Sequence, residues 1–177
     1  MSEPLAPLLE HWREFYLLVG TAAAALLALL FVAAPIGVGF LSPERMSRTR
    51  VFMSPVVLHF TAVLFTCSLG LVPSHTRASF AVLIAAGALA AAVYSIRMSV
   101  HVLEDSTIDL ADKIFYGTVP VIAYAAALVA AGLVVLGLPH AADVLAGAVL
   151  LLLLVNIRNA WDLMLFLTEK HFGSPPM

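Results

Sequence analysis

Charge is scarce in this chain. Of 177 residues only 20, or 11%, are Asp, Glu, Lys or Arg, where an average soluble domain carries roughly a quarter. Hydrophobic residues make up 62% and the mean hydropathy is +1.03. That is more apolar surface than a water-soluble globule of this length can bury, so the chain belongs in a membrane. Basic residues are scarcer still: 9 against 11 acids, for a net charge of −2, which leaves no positive field to hold nucleic acid. Cysteine occurs once, as Cys67, so an internal disulfide, C-x-x-C redox chemistry and cysteine-based zinc sites are excluded. Lysine appears only at Lys113 and Lys170, outside any span, which removes a Schiff-base lysine of the retinal-binding kind. A glycine-rich phosphate loop, a nucleophile motif and paired catalytic carboxylates are all missing, and the chain is expected not to be an enzyme.

Long apolar runs are what the sequence does have. A spanning helix needs about 20 largely apolar residues, and five segments qualify, at 16–41, 51–72, 78–103, 114–138 and 141–168. Punctuation separates them: Ser42-Pro43-Glu44-Arg45, then Pro73-Ser74-His75, then Glu104-Asp105-Ser106, then Gly137-Leu138-Pro139-His140. Connections this short force neighbouring helices to run antiparallel. The expected fold is all-α, one polytopic domain built as an antiparallel bundle of five transmembrane helices. The first span follows Glu3 and Glu10 rather than a basic n-region and is too long for a signal peptide, so it is expected to stay in the mature protein. Ser106 to Asp109 has the form of a helix start, and Pro35, Pro55 and Pro120 are expected to bend their helices.

Orientation follows from the basic loop residues. Arg45, Arg48 and Arg50 form the densest basic cluster. Placing them in the cytoplasm puts the N-terminus outside and the C-terminus inside, the arrangement expected in a bacterial inner membrane. Trp12 and Tyr16 then read as interfacial anchors of the first helix.

Ionisable residues inside a span are costly and face the bundle interior. On the third helix Tyr94, Arg97, His101, Glu104 and Asp105 fall within an arc of about 100°. On the fifth, Asn156, Arg158, Asn159 and Asp162 interrupt a Leu/Val/Ala run, and Arg158 and Asp162 have the spacing of an intrahelical pair. An arginine and an aspartate near a helix centre each cost about 2.5–3.5 kcal/mol, while a leucine returns about 0.3–0.6. These groups therefore need partners within the bundle. With His59 on the second helix, they define an expected polar cluster of His59, Tyr94, Arg97, His101, Glu104, Asn156, Arg158, Asn159 and Asp162, joined at the same level by Tyr116 and Tyr124 of the fourth. The opposite half of the bundle is nearly free of polar groups, with Thr21, Thr66 and Ser68 there and Asp143 at its edge.

Gly87, Ala91, Ser95 and Ser99 repeat small residues every four positions, a helix-packing stripe that suits either a subunit interface or close packing within one bundle. The acids from Glu104 to Asp112 match no metal motif, and no metal ligand is assigned. His59 and His101 differ in depth by about 9 Å at 1.5 Å per residue, which argues against a shared haem, and no cofactor is expected. Two readings of function remain. The first is an oligomeric channel or transporter of ions or small solutes, with the polar cluster as its cytoplasmic vestibule. It is favoured because helix–helix adhesion alone would be met by Asn and Ser. The second is a structural or assembly subunit of a membrane complex. The expected partners are the lipid bilayer and either further copies of the chain or other membrane subunits.

Overall fold

The computed structural model describes residues 10–38, 43–104 and 110–172, with side chains described over 10–34, 53–100 and 110–165. A 3-10 turn, Glu10–Trp12, leads into α1 (Arg13–Val38). Next come α2 (Pro43–Leu71), α3 (Arg77–Glu104), α4 (Leu110–Leu136) and α5 (Ala141–Phe172). Each of the five is long and apolar enough to cross a membrane. The protein is an all-α membrane protein.

The boundaries differ from the hydropathy reading mainly at α2. Residues 43–50, expected as a basic loop, continue the helix, which opens on Pro43. Proline suits a first helical position because the N–H it lacks would have no partner there. Local chemistry explains the other helix ends. Thr76 and Ser79 cap α3 reciprocally: Thr76 Oγ1 accepts from the Ser79 amide at 3.1 Å and Ser79 Oγ from the Thr76 amide at 2.9 Å, a capping box with serine at N3. At the end of α4 Gly137 adopts φ 69°. The Leu138 amide donates to the Leu133 carbonyl and the Gly137 amide to Val134, a Schellman turn that needs the left-handed residue glycine provides. The expected cap at Ser106–Asp109 lies outside the described residues.

Helices α2, α3, α4 and α5 form a ring in which each touches its two neighbours, and α1 packs outside it, mostly on α2 and less on α5. Within the ring the α2–α3 contact is the least extensive and α3–α4 and α4–α5 the most. Alanines suit the extensive packing of α4 on both its neighbours: Ala123, Ala127, Ala130 and Ala131 are buried on α4, with Ala141 and Ala148 on α5. Without a hydrophobic drive between helices in lipid, small side chains that let backbones meet supply the contact. Of the apolar window of α5 56% is buried, against 28% for α1. Large apolar residues such as Leu17, Leu18, Phe31, Val82, Val129 and Leu154 cover the outer surface, as a surface solvated by hydrocarbon requires.

Two residues of the α1–α2 interface depart from what their sequence suggested or left open. Tyr16, read as an interfacial anchor, is fully buried in the core. Gly70 makes room for it: a Cβ there would lie 2.9 Å from the Tyr16 ring. One turn along α1, Gly20 faces buried Cys67, and a Cβ would lie 3.0 Å from that of Cys67.

Candidate functional site: a polar node between three helices

The fourth helix is not uniform. Residues Lys113–Thr118 run as a π-helix between two α segments, one residue before Pro120. The wider turn has a stereochemical cause and a consequence. The Val119 amide reaches back five residues to the Ile114 carbonyl, so it is no longer the donor for Phe115. The next amide that could reach the Phe115 carbonyl belongs to residue 120, and proline has none. A half-buried carbonyl is thus left without a donor from its own helix, a cost of up to about 1–3 kcal/mol if it stays unpaired.

Asn159 of α5 supplies the donor. Its Nδ2 donates to the Phe115 carbonyl at 3.1 Å, and the Tyr116 hydroxyl donates to the Asn159 carbonyl at 2.7 Å. The two bonds join α4 and α5 in both directions. One turn away, Asn156 Nδ2 donates to the Val56 carbonyl of α2 at 2.8 Å, just after Pro55. His59 Nδ1 and the Tyr124 hydroxyl are hydrogen-bonded at 2.7 Å and tie α2 to α4. Asn156, Asn159, His59 and Tyr124 are all buried. The Oδ1 atoms of the two asparagines have no donor among the described residues.

Beside this buried set lies a half-exposed ion group. Arg158 reaches Asp112 of α4 at 3.4 Å and Asp162 of its own helix at 3.2 Å, and its guanidinium lies over the Phe115 ring, 4.0 Å from the centroid. One guanidinium between two carboxylates leaves a formal negative charge, the wrong sign for holding an anion. The cation–π contact with Phe115 places this group directly on the π segment.

The residues singled out in the sequence therefore separate. His59, Asn156, Arg158, Asn159 and Asp162 come together, with Tyr116, Tyr124 and Asp112 added from α4. Tyr94 and Arg97 do not join them: both are exposed on α3, among exposed Val93, Ile96 and Val100. Angular arithmetic gives which residues share a face, not which way that face points. The apolar neighbours of Arg97 were the available sign that it looks outward. The side chains of His101 and Glu104 lie outside the described ones, and Asp105 lies outside the described residues altogether. The stripe of Gly87, Ala91, Ser95 and Ser99 turns into the bundle: Gly87 faces Phe65 of α2, Ser99 faces Gly117 of α4, and Ala91 and Ser95 are buried. Among the described residues no three His, Cys, Asp or Glu side chains are grouped closely enough to hold a metal ion.

No family model matches this chain, and neither does any curated protein or solved structure.

Proposed function

We propose that this protein is a non-catalytic structural subunit of a membrane assembly, in which the polar node fixes α2, α4 and α5 as one rigid unit. The observation that carries this reading is the commitment of the buried amides. Both asparagines donate an amide N–H to a main-chain carbonyl of another helix, and His59 Nδ1 is bonded to the Tyr124 hydroxyl rather than left open. A permeation site needs groups that exchange one ligand for the next, and bonds to a main chain do not exchange. The half of the bundle away from the node is apolar, and the charge between Asp112, Arg158 and Asp162 opposes an anion.

A channel or transporter is the second reading. Its support is the pair of buried Oδ1 acceptors on Asn156 and Asn159 without a donor among the described residues, next to a partly exposed Arg158. Purified protein in proteoliposomes under K⁺, Na⁺, Cl⁻ and H⁺ gradients separates the two. The structural reading expects flux no higher than in empty vesicles. Selective flux that Arg158→Ala alters in a still-folded protein makes the node part of a pathway and overturns it.

The proposed location is a bacterial inner membrane, with the N-terminus outside and the α1–α2 connection in the cytoplasm beside Arg45, Arg48 and Arg50. In a Cys67→Ala background, a single cysteine at position 47 is then shielded from an impermeant thiol reagent in intact cells, and one at position 74 is labelled. The reverse pattern inverts the assignment.

A further inference from the structure

The sparse contact between α2 and α3 leaves a crevice of about 440 Å³, inside the roughly 300–1,000 Å³ range of ligand pockets. Thr61 and Phe65 of α2 and Ala90 and Tyr94 of α3 stand at its mouth, and it runs inward to Ala127 and Ala148 of α4 and α5. Its lining is almost wholly apolar, and two of its hydroxyls are already used inside the protein: Thr61 donates to the Val57 carbonyl at 2.8 Å and Tyr124 is held by His59. Those groups ask nothing of an occupant. A void among apolar atoms forfeits their dispersion contacts, and a crevice that opens sideways within a span meets hydrocarbon rather than water. One helical turn beyond Tyr94 toward the end of the helix, Arg97 is exposed, seven residues before α3 ends at Glu104. An arginine at that depth extends to the interface, where lipid phosphates lie.

From this juxtaposition we infer that the α2–α3 crevice binds one acyl chain of an anionic phospholipid whose headgroup is held by Arg97. The tail supplies the missing packing between the two helices, and the guanidinium selects charge through charge-assisted hydrogen bonds to the phosphate and headgroup oxygens. This lipid site stands apart from the polar node and holds whether or not the protein transports a solute.

The test is native mass spectrometry of the full chain in detergent, offered phosphatidylglycerol and phosphatidylcholine in equal amounts. Wild-type protein is expected to retain one phosphatidylglycerol, with about tenfold preference over the zwitterionic lipid. Arg97→Gln removes the preference while leaving a lipid bound. Ala90→Phe closes the mouth and removes both lipids without moving the thermal melt, and Thr61→Phe, from the opposite wall, does the same should the first variant fold poorly. Equal retention of the two lipids by wild type overturns the inference, as does full retention by a folded mouth-filled variant. A wild-type dimer that Ala90→Phe dissociates also overturns it, because the occupant is then a second copy of the chain.

Discussion

Asn159 gives its side-chain amide to a carbonyl that its own helix cannot serve, whereas Asn156 donates to a carbonyl inside a regular stretch of α2. The two substitutions are therefore unequal. Interhelical hydrogen bonds in membrane proteins are worth about 0.6 kcal/mol on average and at most about 1.7, and Asn156→Leu is expected within that range. Asn159→Leu also strands the Phe115 carbonyl and should cost more, up to about 3 kcal/mol. Reversible unfolding in mixed micelles gives the order, and equal costs would remove the special place of the π segment. Tyr16 offers a second residue-scale contrast. Gly70→Ala drives a methyl into its ring and should cost about 1–3 kcal/mol. Tyr16→Phe removes a buried hydroxyl with no partner among the described residues, so its melt should be unchanged or slightly higher. The asparagines were legible in the sequence because amides interrupt an apolar run. Their targets were not, since a main-chain carbonyl on another helix has no letter in the sequence. Tyr16 misled for a related reason: an aromatic near a span end suits the interface, and only the distant glycine at position 70 gives it a place inside.

At the scale of the element, α4 ties two features into one device. Pro120 removes a donor, the backbone widens into a π turn, and α5 repairs the loss. Pro120→Ala returns an amide to position 120 and lets α4 serve its own carbonyls. Asn159→Leu should then cost less than it does beside proline, with a coupling of about 0.5–3 kcal/mol in a double-mutant cycle, the range for residues sharing one network. Strict additivity would mean that proline and asparagine act separately. The sequence places Pro120 in the span and so anticipates a distortion. It does not anticipate that the distortion falls on residues 113–118, because the Asn159 donor that serves the Phe115 carbonyl lies on another helix.

For the whole molecule, hydropathy was enough to find five spans and their antiparallel order, because the bilayer imposes one length on every crossing. It could not rank them by position. The first span is among the most apolar yet lies outside the ring, while α5, studded with polar residues, is the most buried. In lipid, apolar character says nothing of burial, and closeness is set by small residues instead. Ala130, fully buried on α4, tests this. Ala130→Leu should push the helices apart and cost about 1–3 kcal/mol, although it makes the span more hydrophobic. Val129→Leu on the exposed face next to it should leave the same melt unmoved.

The single thiol also has a use that follows from its position. Cys67 is covered on one side by Gly20 of α1, the helix with the smallest share of its span inside the protein. A thiol reagent added to the intact chain therefore meets a closed door whose leaf is α1. Its rate of reaction records how often that helix lifts away while the ring behind it stays closed, a natural clock for partial opening that requires no engineered residue.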